Sequence, residues 1–164
     1  MFRKFILPIE PFSINAMYCR NRSFKTMKGK DWTYNALSHL SYHENERKML
    51  DLKEAFDPKK HYFRVDLAFY FPEKKLFTKD GRLKTPDLSN IEKPLIDLFF
   101  DKQFYGKEPP FGCNNLNIDD KYIGELSSTK RVCPDEQYHI NVKISIKSLD
   151  PLKSKESHQF RYAW

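Results

Sequence analysis

Residues 85–97 read Thr-Pro-Asp-Leu-Ser-Asn-Ile-Glu-Lys-Pro-Leu-Ile-Asp, a stretch that combines carboxylates, a lysine, an amide and a hydroxyl with apolar side chains. Apolar residues recur between the polar ones, which is typical of an amphipathic helix. If the helix begins near Ser89, then Asn90, Lys93 and Asp97 are spaced to lie on one helical face. The stretch therefore predicts a helix that carries a lysine and a carboxylate on the same side.

The sequence leaves two starting points open for this helix. Ser89 followed by Glu92 fits a capping box, which places the start at Ser89. Pro94 then falls inside the helix, where its missing N–H loses one backbone hydrogen bond. Alternatively the helix begins at Pro94, and residues 87–93 form the loop that enters it. Both alternatives place the carboxylates and the lysine at or near a helix start.

The bulk composition indicates one globular domain. The chain has 164 residues, of which 40% are hydrophobic and 15% aromatic, so it is long and apolar enough to bury a core. Lysine and arginine outnumber aspartate and glutamate by 29 to 22, for a formal net charge of +7. A basic excess favours a polyanionic partner such as nucleic acid, although a merely basic protein has the same charge.

The cysteines and the N-terminal residues indicate the cellular compartment in which the protein is expected. Three cysteines, at positions 19, 113 and 133, lack CxxC spacing, which argues against a disulfide framework and against a zinc ribbon. The first twelve residues contain no hydrophobic region of signal-peptide type, and no stretch approaches the length of a membrane span. We therefore expect a reducing, cytoplasmic setting and no membrane partner.

The order of the predicted elements is strand, helix, strand, helix, strand, strand. This order indicates an α+β fold in which a small mixed sheet packs against helices. Residues 1–148 form the predicted domain, and residues 149–164 a polar and aromatic tail. The predicted strands are 2–9, 61–71, 122–132 and 138–146; the predicted helices are 32–56 and the one within 85–97; residues 101–118 are irregular.

A basic segment interleaved with aromatic residues follows the first strand. Such a segment suits phosphate contacts together with base stacking, and an exposed hairpin with solvated lysines is the alternative. Its basic residues are Arg20, Arg22, Lys25, Lys28 and Lys30, and its aromatic residues are Tyr18, Phe24 and Trp32.

Clustered carboxylates in a basic protein suggest a metal site. Like charges repel unless they are neutralised, and Mg²⁺ prefers carboxylate oxygens while keeping several waters. A metal beside a phosphate-binding surface suits phosphodiester hydrolysis, in which a lysine such as Lys93 stabilises the developing charge. Structural roles are the alternatives: Asp87 as a turn or cap residue, Asp119-Asp120 as a turn, and Lys93 as solvated or paired with Asp97.

The order of the motifs resembles the RusA-type Holliday junction resolvases, a family of small metal-dependent endonucleases often carried by prophages. The resemblance spans roughly residues 8–146, and its strength lies in the ordered set rather than in any single motif. The matching pieces are Pro11-Phe12-Ser13-Ile14-Asn15 followed by Tyr18 and Arg20-Asn21-Arg22, then Asp87-Leu88-Ser89-Asn90-Ile91-Glu92-Lys93-Pro94-Leu95-Ile96-Asp97, the pair Asp119-Asp120, and Lys130.

The resemblance implies a role for each matching residue. It implies that Asp87 and Asp120 bind catalytic Mg²⁺, or Mn²⁺ in its place, with Asp119 as a further candidate ligand. Lys93 is implied as the catalytic lysine. Asn90 and Asp97 match family positions and are implied to orient the site; Ser89, in the place of a family aspartate, is a further supporting candidate. The expected DNA contacts are Asn15, Arg20, Arg22 and Lys130 from the resemblance and Lys25 from the basic segment.

At the level of the whole protein, the resemblance implies a homodimeric, RusA-like α+β domain that resolves four-way DNA junctions in recombination and repair. One active site per subunit would allow the dimer to nick two opposing strands. The implied setting is the cytoplasm of a bacterium, with a bacterial or phage gene.

Two departures from the family pattern keep a second function open. Ser89 stands where the family has its second aspartate, and serine brings no charge to a metal; Glu92 or Asp119 would have to compensate. The segment 101–118 is longer than the family's usual link. The alternative is therefore a junction-binding or RNA-binding module on the same fold whose catalysis is weakened. A zinc deaminase is disfavoured because its H-x-E and P-C-x-x-C elements are missing.

Overall fold

The structure is a computed structural model that describes residues 1–19, 24–84, 87–101 and 115–150. The segment 102–114 and the predicted tail from residue 151 onward lie outside the described residues. The described elements are β1 (Phe2–Leu7), α1 (Ile14–Met17), α2 (Met27–Leu40), α3 (His43–Ala55), β2 (His61–Phe71), α4 (Glu73–Leu76), α5 (Leu88–Phe100), β3 (Ile123–Val132) and β4 (His139–Ser148).

Four strands form one mixed sheet in the order β1-β4-β2-β3. Strand β4 is antiparallel to both β1 and β2, whereas β3 runs parallel to β2. The predicted α+β class with a small mixed sheet is therefore confirmed. The four predicted strands are all present; β2 has the predicted bounds, and the ends of the other three differ from the prediction by at most two residues.

The single helix predicted over residues 32–56 is wrong, because the chain forms two helices there. Helix α2 already begins at Met27, where the Thr26 side chain accepts a hydrogen bond from the Gly29 N–H at 3.0 Å. It ends at Leu40, and Tyr42 has extended backbone angles before α3 starts. The polar stretch that interrupts the apolar pattern at residues 41–48 covers this break and the first turns of α3, so two shorter helices each turn an apolar side to the core.

Helix α5 begins at Leu88, with Asp87 as its N-cap residue, so Pro94 lies inside the helix. The predicted capping box is absent, since the N-cap is Asp87 and not Ser89. The loss of one backbone hydrogen bond at Pro94 costs about 3 kcal/mol. Full burial of side chains such as Leu95 and Phe99 contributes about 1.5–3 kcal/mol each, which together exceeds that cost.

The core lies between one face of the sheet and the helices. Phe5 of β1 meets Phe99 of α5 edge to face at 5.1 Å between ring centroids. Phe63 of β2 packs against Phe100 at 5.4 Å and stacks on Phe56 at 4.3 Å. These contacts fix the position of helix α5 across the sheet. They therefore also fix the direction in which the polar face of the helix points.

Cys19 and Cys133, the two cysteines within the described residues, are not in a disulfide. Cys19 is exposed and Cys133 is buried. Within the described ranges, no helix combines the length and apolarity needed to cross a membrane.

Candidate active site

The polar face of helix α5 lines a cleft of about 390 Å³ near the C-terminal end of the helix. A 3₁₀ turn at Asp120–Tyr122, directly before β3, forms the opposite wall. The cleft is lined by Lys93, Asp97, Phe100, Asp101, Asn117, Asp119 and Asp120. The fold thus brings together two acidic segments that are distant in the sequence, with Lys93 and Asp120 separated by 27 positions.

Lys93 joins the two walls of the cleft. Its Nζ lies 2.7 Å from Asp97 Oδ1, one helical turn away, and 3.4 Å from Asp120 Oδ2 across the cleft. Partial burial lowers the pKa of Lys93, but the hydrogen bond and charge of Asp97, together with Asp120, outweigh this and raise it above its usual value. Lys93 is therefore held as a cation between two carboxylates.

Asp97 is the most buried carboxylate in this cleft, with only 9% of the residue exposed. Burial raises its pKa above the usual value, Lys93 opposes that rise, and the negative charges of Asp101 and Asp120 add to it. Asp101 caps the C-terminal end of the helix and donates its N–H to the Asp97 carbonyl at 2.9 Å. The cluster is thus rich in negative charge, as expected of a cation site.

Asp119 and Asp120 have different local roles. Asp119 caps the 3₁₀ turn, accepting the Lys121 N–H at 2.9 Å and pairing with Lys121 Nζ at 3.0 Å. These contacts hold the pKa of Asp119 below its usual value. Asp120 is half exposed, and its carboxylate faces Lys93. Of the pair, Asp120 is therefore the one that meets the lysine of α5, while Asp119 also stabilises the turn.

A second segment reaches the same cluster from the N-terminal part of the chain. Tyr18 and Lys25 form an antiparallel bridge. Burial raises the pKa of Tyr18, and the charges of Asp97 and Asp101 raise it further. Burial lowers the pKa of Lys25 to about 8, although the same two carboxylates act in the opposite direction.

Asp87, which the resemblance makes a metal ligand, lies outside this cleft. It is exposed at the N-cap of α5, and its side chain accepts no capping hydrogen bond. Ten residues separate it from Asp97, which corresponds to about 15 Å along a helix axis. Its role as a metal ligand stays a prediction.

The other supporting residues on helix α5 lie near its start. Ser89 is exposed and Asn90 is half-buried, and neither lines the cleft. Glu92 accepts a hydrogen bond from the Ser128 hydroxyl of β3, so it ties the helix to the sheet. Glu92 therefore faces β3 and does not line the cleft. It does not take the place of the missing aspartate there.

The predicted DNA-binding residues are spread over the molecule. Asn15 is exposed on the short helix α1. Lys25 also donates to the Thr33 hydroxyl at 3.2 Å. Lys130 donates to the Lys84 carbonyl at 3.3 Å, and it lies about 23 Å along β3 from Ile123, far from the Asp120 turn. Arg20 and Arg22 lie outside the described residues.

Sequence reasoning missed Tyr18 and Asp101 as site residues. Asp101 follows Asp97 by four positions, so the spacing that groups Asn90, Lys93 and Asp97 on one face also includes it. For Tyr18 the sequence predicts only a place in the basic, aromatic segment, because its approach to the carboxylates depends on how that segment packs against α5.

The fit of this site to a divalent cation is partial. Within residues 1–19, 24–84, 87–101 and 115–150, no three histidine, cysteine, aspartate or glutamate side chains are grouped closely enough to hold a metal. Mg²⁺, however, commonly uses one or two carboxylates and keeps its other waters. Asp120 and Asp119 on an open cleft meet that smaller requirement.

Comparison with known proteins adds no family assignment. No protein-family model matches the chain, and no curated protein matches it significantly. The resemblance to RusA-type resolvases therefore rests on the residues quoted above.

Proposed function

We propose that this protein is a metal-dependent endonuclease that hydrolyses phosphodiester bonds in branched DNA, with four-way junctions as its substrate. The observation that supports this most strongly is the cleft in which Lys93 contacts both Asp97 and Asp120. An acidic cleft on a chain of net charge +7 suits a metal at the reacting phosphate and basic contacts elsewhere.

In this proposal, each residue of the cleft has a separate role. Asp120, with Asp119 beside it, would hold Mg²⁺ or Mn²⁺, which when bound activates water and offsets charge on the phosphate. Lys93 donates hydrogen bonds from Nζ to the phosphate oxygens as negative charge develops in the transition state. Asp97 orients Lys93 through their 2.7 Å contact and keeps it protonated. Asp87 stays in the proposal as a ligand implied by resemblance.

The setting of the reaction follows from the same resemblance. We infer a homodimer, because two clefts are needed to nick opposing strands of one junction. We also infer a bacterial or phage-encoded protein that acts in the cytoplasm, in recombination and repair.

The test is cleavage of a labelled four-way junction with and without Mg²⁺, using a linear duplex of the same sequence for comparison. We expect paired nicks that require the metal, and Asp120→Asn to reduce cleavage at least about a hundredfold while junction binding is retained. Asp80→Asn is the matched control, because it makes the same change at an exposed turn away from the cleft. Wild-type cleavage by Asp120→Asn would remove this residue from the site.

A junction- or RNA-binding module is the second candidate, and two observations favour it. Ser89 contributes no charge, and the described residues include no group of three potential metal ligands. This candidate predicts tight, salt-sensitive junction binding without cleavage in Mg²⁺ or Mn²⁺. Recovery of cleavage by Ser89→Asp would then locate the defect at that position.

A further inference from the structure

The face of the sheet opposite the helices contains a hollow of about 590 Å³. Along β2 and β4 the buried residues alternate with half-exposed ones, so one face belongs to the core and the other does not. Half-exposed residues of β2 and β4 and exposed residues of β1 and β3 line the hollow, so all four strands contribute to it. Its volume lies within the range of about 300–1,000 Å³ that is common for ligand sites.

Positive charge gathers on this face. Lys4 and Lys143 are direct partners in the register of β1 and β4, an arrangement of like charges that is normally destabilising. Both ammonium groups lie over the ring of Phe2, Lys4 at 5.9 Å and Lys143 at 5.1 Å from its centroid. Within the described part of the chain, Lys4, Lys143 and Arg131 make no ion pair, while Asp66 is paired with Arg64 at 3.1 Å. Asp66 is the only carboxylate among the described residues that line the hollow, where it is the register partner of Lys143, so the three cations exceed the negative charge there.

Aromatic rings adjoin these charges. Tyr70 and His139 are partners in the register of β2 and β4, and their rings stack at 4.0 Å with an interplanar angle of 15°. Arg131 is the partner of Tyr70 on the other side, in β3. A flat ring pair flanked by a guanidinium group is suited to stacking against nucleobases and contacting phosphate.

One acceptor in the hollow has no partner. The Oδ1 atom of Asn141 is buried and receives no hydrogen bond from the described residues. A buried acceptor without a donor costs about 1–3 kcal/mol, so such atoms usually face a ligand or a water. Asn141 lies two residues from both His139 and Lys143 on the same strand face, between the rings and the lysines.

We propose that this face of the sheet binds single-stranded nucleic acid. A base stacks on the Tyr70–His139 pair, the side-chain Oδ1 of Asn141 accepts a hydrogen bond from a base N–H such as N3–H of thymine, and Lys4, Lys143 and Arg131 contact phosphates. The site lies across the sheet from helix α5, and it goes beyond the proposed cleavage because it needs neither a metal nor the cleft.

The experiment measures binding of a fluorescein-labelled oligothymidine by anisotropy, in EDTA so that cleavage does not consume the probe. Stacking on an aromatic ring is typically strong enough that Tyr70→Ala should weaken binding at least about fivefold. Tyr70→Phe keeps the ring and should restore most of that loss. The double variant Lys143→Glu/Arg131→Glu should reduce the salt slope of log K by about 1.4, because two phosphate contacts disappear.

The controls separate this surface from the cleft and from general charge effects. Lys53→Glu/Lys59→Glu makes the same charge change at two exposed positions outside the hollow and should bind like the wild type. Unchanged affinity in Tyr70→Ala and in the double variant would overturn the proposal. So would weakening only by Lys93→Ala, because single strands would then occupy the cleft. A dimer that dissociates in the double variant while oligothymidine binding persists would show that a second copy of the chain covers this face.

Discussion

Replacing Lys93 with methionine tests whether the ion pairs of the cleft have the energetic role that their geometry indicates. The substitution keeps much of the aliphatic side chain and removes the charge. Asp97, whose side chain is only 12% exposed, then loses its partner at 2.7 Å. A buried carboxylate without a cation is unfavourable, so we expect the folded state to lose stability.

The magnitude follows from the distance and the exposure of the pair. Two unit charges at that separation attract by about 1.5 kcal/mol at the dielectric of water, and by about 6 kcal/mol at an effective value near 20. The Lys93 side chain is half exposed, so solvent screening places the net effect near the lower figure. We therefore expect Lys93→Met to lower the free energy of unfolding by about 1–2 kcal/mol at neutral pH.

The pH dependence provides a sharper test. Burial already raises the pKa of Asp97 above its usual 3.8, and removing Lys93 removes the contributions that oppose this rise. In the variant, folded Asp97 binds its proton more tightly than unfolded Asp97 does. Stability is therefore lost as the pH rises through the pKa of folded Asp97, and the deficit relative to wild type is largest at neutral pH.

The assay is urea denaturation of both proteins at about pH 4 and about pH 8, repeated in an Asp97→Asn background as a double-mutant cycle. Lys121→Met is the matched control, because Lys121 also pairs with an aspartate but is well exposed, so little or no change is expected. An equal deficit at both pH values, or one that persists in the Asp97→Asn background, would refute the reasoning.

Two further predictions concern the segment that packs against α5. Gly29→Ala should destabilise the protein by about 1–3 kcal/mol in urea denaturation, although alanine is the better helix former, because overpacking against a neighbour is costly. A Cβ at position 29 would lie 2.5 Å from the Met17 carbonyl oxygen and 3.0 Å from the Met17 sulfur. Lys30→Ala in the same helix is the control. A Gly29→Ala variant more stable than the wild type would contradict the prediction. Lysine side-chain NMR should show Lys25 titrating near its expected pKa of about 8, and Lys93 above the usual 10.5. Titration of both lysines near 10.5 would contradict the burial of Lys25.

The local spacing of apolar and polar residues was sufficient to predict the helix that carries the site and the strands of the sheet. The alternation of residues 61–71 and 138–146 predicts two strands that the structure contains, because side chains of a strand alternate between its faces. The spacing of Lys93 and Asp97 predicts their contact for a similar reason, since residues four apart lie together on a helix. These features depend on neighbours in the chain, so they can be read from the sequence.

The sequence pattern did not predict the break between α2 and α3 or decide where α5 begins. Both depend on tertiary packing. The apolar pattern allows one long helix over residues 32–56, but the chain stops at Leu40 and starts again at His43. The position of Pro94 inside α5 is likewise decided by burial of the residues around it, which local propensity does not contain.

The sequence by itself determined which residues carry charge, which faces are apolar and that Lys93 and Asp97 have the spacing of residues on one helical face. Only the tertiary structure decided that Asp120 and the Tyr18–Lys25 segment join them while Asp87 stays at the other end of the helix. It also decided that one face of the sheet carries the core and the other a basic, aromatic hollow. The physical reason is that these contacts join distant segments, whose positions follow from core packing such as Phe5 against Phe99 and not from local periodicity.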